Sequence, residues 1–370
     1  MELPPLAGVR VVDLSRVLAG PYCTMLLADL GADVVKVERP GEGDDTRSWG
    51  PPYVRDQATY FLAVNRNKRS VAIDLADPAG QREALALARA SDVLVENFRP
   101  DVMDTLGLGY EQLATEQPGL IYCSISGFGA GEGARLPGYD LLVQALGGLM
   151  SITGPADGEP QKVGVALVDI LAGLFASVGI LAALRHRDAT GEGQRVEVDL
   201  FSSLLAALAN QASAFTVAGV VPRRMGNAHP SISPYELYPT AKGELVLAVG
   251  NERQFATLCE VLDVPELAED DRFRGNARRV ENRDALRDAL VARLATGPAA
   301  DWAAALTDAR VPAGVVNDVR AAFELAASLG LEPIVDVPAP DGSAMRLTRN
   351  PIRLSRTPAT YRSAPPDLPG

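Results

Sequence analysis

Histidine is nearly missing from this 370-residue chain, which has only His186 and His229. A two-histidine metal centre or a Ser-His-Asp triad would have to draw on one of those two. His186 sits in R-H-R just past an apolar helix, where a solvated cation at the C-terminal end is the simplest role. Cysteine is scarce as well: Cys23, Cys123 and Cys259 are widely spaced and form no CxxC pair. That excludes a cysteine metal site and suits a reduced, cytoplasmic protein. Positive charge is short, with 35 Lys and Arg against 47 Asp and Glu and a net charge of −12. Nucleic acid and an anionic membrane surface are therefore poor partners. No G-x-G-x-x-G follows the first strand, which argues against a nicotinamide-dependent dehydrogenase. No internal repeat, low-complexity linker or signal-peptide pattern at Met1–Arg10 is found.

One long apolar run is present, Val163–Leu184, and inside it the only polar side chains are Asp169 and Ser177. Taking a carboxylate out of water without a partner costs several kcal/mol, of order ~2–7 even for neutral polar groups. Three explanations are available. Asp169 could cap a buried helix, line a transmembrane path, or act as a nucleophile or base tuned by a dry pocket. No second run approaches this length, so a soluble protein without membrane spans is expected. Ala172, Ala176, Gly179 and Ala183 form one helical stripe of small residues, pointing to a helix buried in a large core. Cap and functional carboxylate remain open from these residues alone.

The first third alternates strands and helices. Strands are expected at Val9–Leu14, Ala32–Glu38, Ser70–Leu75, Asp92–Glu96 and Leu120–Ile125. Between the first two, Pro21 opens a helix that Gly31 closes; Asp77-Pro78 caps another. This predicts an α/β fold, a Rossmann-like parallel sheet covered on both faces with its ligand crevice at the strand ends. Arg39 follows Glu38 at the end of the second strand and would welcome a phosphorylated ribose, or be a surface cation. The cations of N-R-N-K-R-S, Asn65–Ser70, read as phosphate contacts or a solvated loop. Gln194–Leu200 is a further strand. From about Val220 the chain changes character into a smaller α+β domain, and a hairpin around P-A-P-D-G-S returns to the first lobe. The expected boundaries are 1–219, completed by 330–370, and 220–329.

Taken in order, D-L-S-R-V-L-A-G-P, G-A-D-V-V-K-V-E-R-P-G-E-G-D, N-R-N-K-R-S-V-A-I-D-L, V-E-N-F-R-P, S-I-S-G-F-G, G-Y-D-L-L-V-Q-A-L-G-G-L-M-S-I-T-G, the aspartate helix, G-E-G-Q-R-V-E-V-D-L and G-N-A-H-P-S-I-S-P-Y resemble the class III CoA-transferases. That group includes formyl-CoA and carnitine CoA-transferases. The resemblance runs through nearly the whole chain. It implies that Asp169 is the nucleophile, forming an anhydride with the acyl group and then an aspartyl-CoA thioester. Coenzyme A enters as a substrate; no permanently bound cofactor and no metal is implied. Val17, Leu18 and Ala19 would line the CoA site, with Arg39 at the adenosine 3′-phosphate end. Ile73, Asp74, Leu75, Ala76, Asn97, Phe98 and Arg99 would flank adenine and pyrophosphate, and Gly138 and Tyr139 would approach the thioester. Thr105 stands where relatives often carry a basic residue.

By the same resemblance, Gly226, Asn227, Ala228 and His229 fall in a loop over the active site. His229 is either a substrate contact or a turn residue fixed by Pro230. The resemblance also implies an interlocked, ring-shaped homodimer; relatives commonly continue with a further short segment where this sequence reads P-P-D-L-P-G. The related alternative is a 2-methylacyl-CoA racemase, which needs an acid–base pair, commonly His with Asp. Tyr139 stands where that histidine belongs and, with an ordinary pKa near ~10, substitutes poorly. A non-catalytic CoA-binding protein would have no use for Asp169. The resemblance implies that the acceptor would be a carboxylic acid, with Tyr235, Tyr238 and the second-domain loops expected to shape its pocket. Arg223, Arg224 or Arg47 would suit a second carboxylate, as in succinate.

Overall fold

Short apolar runs separated by helices pair into one parallel sheet in the computed structural model, which describes residues 2–369. Met1 and Gly370, at the limits of the expected large domain, lie outside the described residues. The strands are β1 (Arg10–Asp13), β2 (Asp33–Glu38), β3 (Lys68–Ala72), β4 (Val93–Glu96), β5 (Ile121–Ser126) and β6 (Gln194–Asp199). Their order is β3-β2-β1-β4-β5-β6, parallel throughout. Helices α1 (Ala19–Asp29), α2 (Pro78–Arg89), α3 (Asp140–Leu146), α4 (Leu167–Thr190) and α5 (Leu200–Ala207) accompany it. Alternate strand residues serve opposite faces. Val11, Val93 and Val95 join the core of α1 and α4, while Val12 and Leu94 join the core beneath α2.

Two expected boundaries move for physical reasons. The third strand begins at Lys68 rather than Ser70, because the Lys68 ammonium is satisfied internally by Asp13 at 3.1 Å. The helix expected from Pro21 begins at Ala19, and Pro21 takes a first-turn position where its missing N–H costs nothing.

Helix α4 departs further from expectation. Val168, Ala172, Ala176, Ile180 and Ala183 are buried, but Leu174, Phe175, Val178 and Leu181 are exposed. An all-round apolar sequence does not reveal which face is packed. The packed face lies close to α1: a Cβ on Gly173 would sit 2.6 Å from the Ala19 carbonyl oxygen. By length and composition α4 could cross a membrane.

The described residues divide into two units. The first holds residues up to Leu149, Lys162–Val221 and Glu332 onward, including the hairpin β10 (Ile334–Pro338) and β11 (Ala344–Thr348). The second holds Met150–Gln161 and Pro222–Leu331. It contains an antiparallel sheet of β7 (Tyr235–Pro239), β8 (Glu244–Ala248) and β9 (Ala313–Val315) over a core of Leu245, Leu247, Phe255, Leu258 and Leu290. The segment 150–161, expected in the large domain, belongs here. Gly226 N–H donates to Gly154 O at 3.1 Å, and Arg224 donates to Gly158 O at 2.9 Å.

Candidate active site

Strand order reverses between β1 and β4, so the loops after these strands part and leave a crevice at the carboxyl ends. The two loops are stitched across it. Arg16 N–H donates to Asn97 Oδ1 at 2.8 Å, and Asn97 Nδ2 donates to Arg16 O at 2.7 Å. Val17 sits at φ +70°, a region that a β-branched residue enters only under strain. Its N–H donates to both Asp44 carboxylate oxygens at 3.3 Å. Asp44 pairs with the fully buried Lys36 at 2.9 Å, and Lys36 Nζ also donates to Ser15 O at 2.8 Å.

Below this loop, Asp13 accepts from Lys68, from Thr24 at 2.6 Å and from Ser15. Burial would raise its pKa, but Lys68 and Lys36 outweigh it and hold the carboxyl at about 2. The site floor is thus fixed by paired internal charges.

A cleft of about 240 Å³ opens between the loops, and Asp169 lies in its lining. One wall is two glycine turns in backbone contact: a Cβ on Gly127 would meet Gly138 Cα at 2.4 Å, and one on Gly138 would meet Gly127 Cα at 2.6 Å. Asp169 stands in the first turn of α4 yet does not cap it. The cap comes from α3: Val168 N–H donates to Asp140 Oδ1 at 2.8 Å, and Gln144 Nε2 donates to Asp140 Oδ2 at 2.6 Å. Gln144 Oε1 in turn accepts from Val163 N–H at 2.9 Å, fixing the approach to the helix. Among the described residues no hydrogen bond or ion pair engages the Asp169 carboxylate, and Asp169 is half-buried in the cleft lining. Burial, then the Asp140 charge, raises its pKa to about 7. Tyr60 feels both carboxylates; its hydroxyl pKa is raised, first by burial and then by Asp169 and Asp140.

Val17, Leu18, Ala19, Asn97, Phe98, Arg99, Gly138 and Tyr139 line the Asp169 cleft. Arg39, Ile73, Asp74, Leu75 and Ala76 line a second cleft of about 200 Å³, to which Phe98 also contributes. Gly226–His229 lies in the second unit. There His229 Nδ1 accepts from Ser231 N–H at 3.0 Å and its ring packs on Tyr235 at 5.1 Å.

Several expected contacts belong elsewhere. Arg66 is buried on Asp29 and Lys68 on Asp13, so neither is a phosphate contact. Arg47 is clamped to Glu38 at 2.7 Å and cannot serve a second carboxylate. Arg224 donates to the carbonyls of Pro155 and Gly158. Tyr238 is fully buried in the second core and shapes no pocket. Sequence reasoning missed Arg16, Tyr60, Asp140 and Gln144, although Arg16, Asp140 and Gln144 stand inside motifs that carry the resemblance.

Residues 6–370 match CoA-transferase family III. The chain belongs to that family. It is 44% identical over 374 residues to the succinate–glutarate CoA-transferase of Agrobacterium fabrum, covering 99% of this chain and 93% of that protein. To the succinyl-CoA:glutarate CoA-transferase of Mus musculus it is 43% identical, covering 99% and 84%. A solved CAIB/BAIF family protein of Brucella suis superposes with a TM-score of 0.87 at 43% identity, covering 99% of this chain and 97% of that one. The chain is a CoA-transferase, and CoA thioesters are the substrates of such enzymes.

A family III site with a carboxyl raised to about 7 has a consequence for stability. Unfolded, Asp169 ionises near ~4. Between those values the folded state binds more protons, so raising the pH favours unfolding. Asp169→Asn is expected to stabilise the protein relative to wild type by an amount absent near pH ~4, growing to about pH 7 and level above it. Parallel thermal melts across this range check it; a gap constant with pH would contradict the raised pKa.

Proposed function

We propose that this enzyme moves CoA between two small dicarboxylic acids, succinate and a longer one such as glutarate, with Asp169 as covalent carrier. The observation that carries the reading is an unpartnered, half-buried carboxylate at a cleft walled by two glycine turns. The relatives named for succinate, glutarate and mesaconate transfer support the dicarboxylate class.

In the first step an Asp169 oxygen attacks the thioester carbonyl of the donor, forming the mixed anhydride as CoA thiolate leaves. The thiolate attacks the aspartyl carbonyl, giving aspartyl-CoA thioester and releasing the donor acid. The acceptor carboxylate then attacks that thioester, regenerating an anhydride and free thiolate. Thiolate attack on the acceptor's acyl carbon yields the new CoA ester and frees Asp169. Each intermediate keeps the energy of the thioester, provided water stays out, and the buried surroundings of Asp169 serve that end.

Racemisation finds little support. Among the described residues no histidine lines the cleft. His186 lies on α4 about 25 Å along the helix axis from Asp169. Transfer of CoA from succinyl-CoA to labelled glutarate, followed by chromatography, tests the reading. Asp169→Asn is expected to lose roughly three orders of magnitude or more in kcat. Deuterium washout at the α-carbon without transfer would favour the racemase.

The proposal includes a homodimer working in the cytoplasm. Its support is the uncovered apolar face of α4, Leu174, Phe175, Val178 and Leu181, together with exposed Leu205 on α5. Patches of this kind mark partner surfaces. Three buried free cysteines suit a reducing compartment. Sedimentation equilibrium is expected to give twice 39.1 kDa. Phe175→Asp with Val178→Asp is expected to shift the mass toward one chain. A wild-type protein of single-chain mass would contradict the dimer.

A further inference from the structure

From the proposal that CoA is the substrate, we infer that Arg16 is the cation that binds the CoA diphosphate. The two clefts share only Arg16 and Phe98 among their lining residues. One cleft holds Asp169, where the thioester must lie. The other is walled by Arg39 and Ile73–Ala76. A CoA molecule with its thioester in the first and its adenosine in the second has to thread its diphosphate past this shared boundary. That segment carries negative charge and needs a cation there in a chain of net charge −12.

The other cations of the second cleft do not stand at this boundary. Lys36 is buried on Asp44, and Arg39, in an exposed pair with Glu42, lines the second cleft alone and does not reach the shared boundary. Arg99 lines only the Asp169 cleft. Arg16 is held by an exposed pair with Asp45 at 3.2 Å, the kind of contact an incoming phosphate displaces readily. Its guanidinium lies over the Phe98 ring at 5.5 Å, which orients it at the boundary. Phe98 is itself anchored, its N–H donating to Glu96 at 2.9 Å. The bonds between Arg16 and Asn97 on the main chain do not use the Arg16 side chain. Replacing that side chain therefore leaves the loop in place.

The test compares wild type, Arg16→Gln and Arg16→Lys. Calorimetry gives Kd for CoA and dephospho-CoA, and kcat/KM for succinyl-pantetheine serves as the probe without a diphosphate. Arg16→Gln is expected to weaken CoA and dephospho-CoA by the same factor, about ten- to a hundredfold. Succinyl-pantetheine turnover is expected to stay unchanged, and Arg16→Lys to recover part of the loss. A loss confined to CoA would move Arg16 to the 3′-phosphate and overturn the inference. An equal loss with succinyl-pantetheine, or no loss at all, would also overturn it. Wild type that binds CoA tightly but transfers none would sink the proposed reaction while leaving the Arg16 comparison readable in Kd.

Discussion

The hydrogen bond from Val168 N–H to Asp140 decides what Asp169 can do. A carboxylate in the first turn of a helix ordinarily turns back onto the free amides there. Here α3 supplies the cap, Gln144 steadies the capping carboxylate, and Asp169 is left facing the cleft. The same Asp140 charge discourages ionisation of Asp169, adding to the effect of burial. A group so placed is expensive for folding and apt for nucleophilic attack, since no bond must be broken to free it.

The loops around Asp169 depend on charges of a different kind. Asp13, Lys68, Lys36 and Asp44 are all buried, and all are paired. They tie the ends of β1, β2 and β3 together and hold Val17 in its left-handed conformation. Removing one partner from such a pair leaves an uncompensated internal charge, typically costing about 3–5 kcal/mol. The site is therefore held by paired charges where CoA would lie, and Asp169 is left without a partner in the cleft lining.

Much of this was legible in the residues. Short apolar runs alternating with helices announced the parallel sheet, and one carboxylate in an apolar run announced the centre of the cleft. Pairing over distance was not legible. Arg66 and Lys68 looked like free cations because Asp29 and Asp13 are remote in sequence. Arg47 misled in the same way through Glu38, and Tyr238 through a core assembled from separate elements. The packed face of α4 was hidden by uniform apolarity, and Asp140 by lying in another helix. The assignment of segment 150–161 to the second unit likewise depends on contacts with Gly226 and Arg224 that no local pattern encodes.

The central claim is that Asp169 carries the acyl group and then CoA. Its most direct test is rapid acid quench of the enzyme with succinyl-CoA, followed by peptide-mapping mass spectrometry. A succinyl or CoA adduct is expected on the peptide containing Asp169, absent from Asp169→Asn. Full CoA transfer with no adduct on that peptide, or an adduct on another residue, would contradict the claim.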